Sequence, residues 1–136
     1  MLTPMLRSVA LGALVLAASC DGEMTAPRTP VEAAGTYVLA SVSGRGPTSG
    51  LITLYPDGQA DRRVQYAAPG AVAQQSWQMG TFEVDAQGIM FTMREATAAS
   101  SVWTFIRRGE WVGRGFSISY PDASYGPDIV ETYRRL

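Results

Sequence analysis

The sequence predicts an all-β domain: one antiparallel, up-and-down meander of about eight strands, closed or nearly closed into a barrel. Three observations carry that prediction. From Gly35 onward, short runs rich in Val, Ile, Thr and aromatic residues alternate with Gly, Pro and Asp. No stretch of this region keeps a helical period. The breaks between the runs fall short of the helical crossovers, about a dozen residues or more, that parallel strands need.

In chain order, the first strand is Gly35 to Ser43, followed by the Gly44 to Gly50 break. Leu51 to Tyr55 and Gln59 to Tyr66 flank Tyr55-Pro56-Asp57-Gly58-Gln59, where proline presets the first turn position and glycine accepts a positive φ. After the Ala67 to Gln75 break, Ser76 to Val84 and Ile89 to Arg94 are joined by Asp85-Ala86-Gln87-Gly88, with similar turn chemistry. Ser101 to Arg107 and Trp111 to Tyr120 leave Arg108-Gly109-Glu110 between them as a third tight turn. The Pro121 to Asp128 break precedes the last strand, Ile129 to Arg135.

A short internal echo supports repeated hairpins: Gly35-Thr36-Tyr37-Val38-Leu39 and Gly80-Thr81-Phe82-Glu83-Val84 share Gly-Thr-aromatic-x-aliphatic. With the strand from Gly35 to Gly44, the Pro56-Asp57-Gly58 turn, the Gly80-Thr81-Phe82 strand and the closing Thr132-Tyr133-Arg134-Arg135, the chain resembles small lipocalin-like bacterial lipoproteins. The resemblance implies a meandering barrel that holds a small apolar molecule. It transfers no binding residues.

The N-terminus reads as an export signal. Arg7 precedes the apolar run Val9 to Ala18, which has the length of a signal-peptide core and falls short of the ~20 residues that span a bilayer. The run ends Leu16-Ala17-Ala18-Ser19-Cys20, which resembles the lipobox of bacterial lipoproteins, with Ala17 where leucine is commoner. That resemblance implies cleavage before Cys20 and lipidation of its thiol. An ordinary signal peptidase, reading Ala17-x-Ser19 as small-x-small, would cut at the same bond and leave the cysteine bare. The expected organisation is a signal peptide at 1–19, a lipidated N-terminus and flexible tether at 20–34, and the barrel at 35–136. Several acyl chains hold a protein firmly at a membrane surface, so the expected address is the bacterial cell envelope, periplasmic or outer surface. Asp21 resembles an inner-membrane retention signal of enteric bacteria, a rule that depends on the host.

Composition excludes more than it includes. The 136 residues contain no histidine, so no Ser-His-Asp triad, Cys-His pair, histidine metal site or imidazole switch is available. One cysteine forms no internal disulfide and no thiolate cage. The net charge is −1 with all 11 basic residues arginine, and the doublets Arg62-Arg63, Arg107-Arg108 and Arg134-Arg135 alternate across strand faces, so no nucleic-acid stripe is expected. No cofactor or metal is expected. Carboxylates are the remaining acids and bases, among them Asp57, Asp61, Glu83, Asp85, Glu95, Glu110, Asp122, Asp128 and Glu131; a glycosidase-type site needs two facing each other, and most of these fall at turns or strand ends.

Tyr37, Trp77, Phe82, Phe91, Trp103, Phe105, Trp111 and Phe116 are candidates for the barrel lining, either as core or around a ligand, since eight strands leave room for side chains or one small molecule. Met79, Met90 and Met93 beside them fit an adaptable pocket or a gap-filled core equally. Arg114 alternates with Val112, Phe116, Ile118 and Tyr120. Turned inward, it needs an anion such as Glu83, Glu131 or a ligand carboxylate; with Trp111, Gly113, Gly115, Ser117 and Ser119 inward instead, it lies in water. The expected function is a membrane-tethered, non-enzymatic barrel binding a small apolar or amphipathic ligand, for which a barrel filled by its own side chains is the adverse result. The alternative is an envelope protein–protein interaction module, an inhibitor or assembly factor working through rim loops, for which exposed aromatics such as Tyr125 are the sign.

Overall fold

A computed structural model describes residues 25–67, 70, 72–96 and 104–136. Eight strands follow one another in an antiparallel meander: β1 (Gly35–Ser43), β2 (Ser49–Leu54), β3 (Gln59–Tyr66), β4 (Gln74–Val84), β5 (Gly88–Glu95), β6 (Phe105–Val112), β7 (Gly115–Tyr120) and β8 (Ile129–Arg135). Each pairs with the next, and β8 returns to pair with β1, closing the barrel. A bulge between Leu39 and Ser41 shifts the β1–β8 register, adding the local bend that closure needs.

The turn chemistry is as the residues dictate. Gly58 sits at φ 88, its N–H donates to the Tyr55 carbonyl, and Asp57 accepts the Gln59 N–H. Asp85 accepts from the Gln87 and Gly88 N–H groups at 2.8 and 2.9 Å, and both its oxygens accept from one guanidinium nitrogen of Arg108 on β6.

The third turn corrects the sequence expectation. Arg108-Gly109-Glu110 lies inside β6, and the chain reverses at Gly113-Arg114. Gly113, at φ 55, is the residue that tolerates the left-handed turn. Gly109 is buried, with Ile89, Ile118 and Phe116 filling the space above it. Arg114 therefore sits exposed in the turn, on neither strand face, and the apolar face of β7 points inward through Phe116 and Ile118 while Ser119 faces out.

An up-and-down order sends alternate connections to opposite ends. The tight turns 55–58, 85–87 and 113–114 share one end with the barrel's N-terminal approach, and the longer connections 44–48, 67–73, 96–104 and 121–128 share the other. At the tight-turn end a single helical turn, α1 (Pro30–Ala33), closes the base. Thr29 caps it by accepting the Glu32 N–H, Pro30 occupies the first helical position, and Glu32 reaches back to the Arg28 N–H. Ala33 is fully buried and its carbonyl accepts the Tyr37 hydroxyl at 2.8 Å. The stretch read from the sequence as tether thus includes residues 29–34 packed on the barrel.

The interior of this half is filled with side chains. Phe116 is its centre, with Tyr37 at 5.0 Å, Phe91 and Tyr133 at 5.4 Å and Trp111 at 6.0 Å between ring centroids. Ile52, Leu54, Phe82, Ile89 and Ile118 complete the packing.

Candidate functional site

The other half of the interior, toward the end opposite α1, holds the buried polar side chains Arg62, Gln78 and Glu131. Strand alternation turns Arg62 of β3, Gln78 of β4, Glu95 of β5, Arg107 of β6, Tyr120 of β7 and Glu131 of β8 toward this mouth. Each arginine doublet is split as expected: Arg62 is buried and Arg63 exposed, Arg107 half-buried and Arg108 exposed, Arg135 half-buried and Arg134 exposed.

Arg62 and Glu131 form an ion pair with both side chains 0 % exposed. One guanidinium nitrogen, Nη2, donates to both carboxylate oxygens at 2.8 and 3.0 Å, and Nη1 donates to Gln78 at 2.8 Å. The hydroxyls of Tyr120 and Tyr133 both donate to Glu131. The chain of bonds continues from Gln78 Nε2 to Glu95 at 3.1 Å, and Glu95 also accepts from Ser76 at 2.6 Å. The Arg62 guanidinium lies 4.3 Å from the centre of the Phe105 ring, a cation–π contact made in a buried site.

Burial opposes charge on Arg62; Tyr133 and the Glu131 carboxylate outweigh it, and its pKa is raised above the ordinary arginine value. Burial pushes Tyr120 and Tyr133 upward as well, reinforced by their bonds to Glu131. Arg62 and the two phenols therefore hold one charge state across the neutral range. The two inward carboxylates, Glu95 and Glu131, are bridged by Gln78 and Arg62, and those side chains occupy the space between them. Among the described residues, no group of three or more acids or cysteines is arranged to hold a metal.

Large apolar side chains are exposed at the rim and flank, and also at the base, where Val31, Tyr55, Val112 and Leu136 are exposed. Tyr125 is 100 % exposed at φ 62, held out by a turn in which Asp122 accepts the Ser124 N–H through its side chain and the Tyr125 N–H through its carbonyl. Val72, in the 67–73 connection, is also almost wholly exposed. On the outer wall, β1 pairs with β2 only from Gly35 to Val38, and beyond that point the strands part. A groove of about 570 Å³ opens there, lined by Val38, Leu39, Leu51, Arg63, Val64 and Trp77 among others. Trp77 is fixed by its indole N–H to Asp61 at 3.1 Å and by Arg63 at 4.6 Å from its ring.

The candidates named from sequence divide accordingly. Tyr37, Phe82, Phe91, Phe105 and Phe116 are core, and Trp111 is half-buried at the base. Trp77 is corrected: it lies on the outer face, 39 % exposed, because alternation from buried Gln78 turns it outward. Met93 is a core residue, whereas Met79 is exposed and Met90 half-buried, so the three methionines share no pocket. The buried arginine that pairs with Glu131 is Arg62 and not Arg114. Trp103 and Cys20 lie outside the described residues. Sequence reasoning missed Arg62, Gln78, Tyr120 and Tyr133 as a set; the usable signal was the doublet alternation, which obliges one arginine of Arg62-Arg63 to face inward.

No family model, curated protein or solved structure matches this chain.

Proposed function

We propose that this chain is a membrane-tethered, non-enzymatic module of the cell envelope that binds another envelope protein through its mouth loops and the adjoining flank. The observation that carries the reading is Tyr125, wholly exposed at the rim on a turn held by Asp122. The described interior is occupied by its own aromatic cluster and by the Arg62–Glu131 network, while Tyr125, Val72, Leu51 and Trp77 lie exposed at the rim and on the wall. Exposed aromatics backed by rigid turns are what protein interfaces use as anchors. Lipidation at Cys20 supplies the tether in this reading.

A photoreactive side chain placed at Tyr125 tests it in intact cells. The expected product is one cross-linked protein species, absent when the same group is placed at Glu110 near the opposite end. Equal, diffuse labelling from both positions would sink the reading.

A second reading has its own observation. The apolar groove at the β1–β2 parting is of the size that small-molecule sites occupy, and a small apolar or amphipathic ligand fits its Leu51, Val64 and Trp77 walls. Thermal stabilisation by native lipid extract, abolished by Leu51→Glu, favours this reading; stabilisation that survives the substitution removes it.

A further inference from the structure

The base of the barrel carries a second concavity, unrelated to the mouth. It has a volume of about 470 Å³ and lies between the approach segment Thr25–Arg28 and the β6–β7 turn. Arg28, Arg114 and Arg135 line it from three separate parts of the chain, with Glu32 as the one carboxylate among the described lining residues. None of the three arginines is among the carboxylate ion pairs formed by the described residues, which are Arg62–Glu131, Arg63–Asp61 and Arg108–Asp85. Arg135 donates to the carbonyls of Glu32 and Ala34, so its position is fixed while its charge has no carboxylate partner among the described residues. Trp111 forms part of the wall, and its buried indole N–H has no acceptor among the described residues.

We propose that this pocket binds a phosphate group, supplied by the headgroup of an anionic phospholipid. Among the described residues, three guanidiniums against one carboxylate leave an excess of positive charge in a concave site. Arginine forks match the several oxygens of a phosphate better than they match a point anion. Trp111, as part of the wall, reports occupancy of the site through its indole resonance. The lipid source rests on the reading of Cys20 as the anchor: the residues from Cys20 to Thr25 span at most about 17 Å when extended, which brings this end of the barrel to the membrane surface. The phosphate site itself rests on the base residues alone.

Mature protein purified in neutral detergent, with the indole N–H resonances of its three tryptophans followed by NMR, provides the test. The probes are inorganic phosphate, a water-soluble short-chain phosphatidylglycerol and the matching phosphatidylcholine. The expected result is saturable movement of the Trp111 resonance with phosphatidylglycerol, weakened about tenfold or more by either Arg28→Gln or Arg114→Gln, which corresponds to one lost charge-assisted bond. Both arginines are exposed, so neither substitution threatens the fold. Response to inorganic phosphate at equal affinity supports the site with a free anion as its source. A Trp111 resonance unmoved by any probe, or moved equally by phosphatidylcholine and unaffected by the substitutions, overturns the proposal. The mass of the purified N-terminus reads the anchor separately: an acylated cysteine with a silent Trp111 removes the site and leaves the anchor standing, and a bare cysteine with a saturable response does the reverse.

Discussion

Arg62 and Glu131 are fully buried, where each ion loses several kcal/mol of hydration that attraction and hydrogen bonds must offset. Removing one partner strands the other. Arg62→Met is expected to cost about 3–5 kcal/mol, and adding Glu131→Leu should return part of that loss, because an apolar pair replaces a buried pair more easily than half of one. Denaturant midpoints of the single and double variants check this; simple additivity of the two losses would contradict the network. The phenols give a second prediction. Burial raises Tyr37, Tyr120 and Tyr133 above the usual value, with Arg135 opposing at Tyr37 and Arg62 at Tyr133. A folded value above the unfolded one means their contribution is complete below about pH 10 and fades as pH rises through the folded values. In an absorbance titration these three of the six tyrosines should ionise only as the fold is lost; all six titrating together in protein with native near-UV circular dichroism would refute it. How far this site was legible follows from β3. Ala60, Arg62 and Val64 share its inner face, but the charged run Asp61-Arg62-Arg63 masks the period of two, whereas apolar alternation is plain around Arg114. The partner on β8 lies 69 residues away, a distance that no local pattern spans.

At the scale of elements, β1, β3 and β8 have the bounds that alternation and punctuation predict, since their flanks carry unambiguous Gly, Pro or Asp. The β6–β7 hairpin does not. Three glycines, Gly109, Gly113 and Gly115, compete for one turn there, and only three-dimensional crowding separates them. A Cβ at Gly115 would stand 1.8 Å from the Tyr133 carbonyl oxygen, whereas one at Gly113 would meet nothing within 4 Å. Gly115→Ala is therefore expected to cost about 3 kcal/mol or more by forcing β7 from β8, and Gly113→Ala about 1 kcal/mol for its backbone alone. Thermal unfolding of the two variants decides this, and equal costs would place the turn elsewhere. The β4–β5 turn carries its own pH signature. Hydrogen bonds from Arg108, then from the Gln87 backbone, hold the Asp85 carboxyl below its usual value. With the folded value depressed, its contribution is present above about pH 4 and lost as pH falls through the folded value. Asp85→Asn should flatten that part of the acid-stability curve, and an unchanged acid limb would show the turn to be indifferent to its charge.

For the whole molecule, closure joins the first strand to the last, a contact whose loop entropy must be met before any reward arrives. Removing β8 takes away Glu131 and Tyr133, leaves Arg62 without its counter-ion and exposes two strand edges. A chain ending before Ile129 is expected to show no near-UV circular dichroism, and native-like signal from it would mean that the meander stands without closing. The barrel class was legible from the whole sequence because every connection is short; the occupied interior was not, because filled and hollow barrels share the same alternation. One detail of the closure reaches further. The Leu136 N–H donates to the Thr36 carbonyl at 2.9 Å, so the chain is already almost an annulus. Splicing residue 136 to the start of β1 through a few glycines and opening the 67–73 connection instead would yield a permuted polymer with the same wall, the same seam and a new pair of ends beside the mouth.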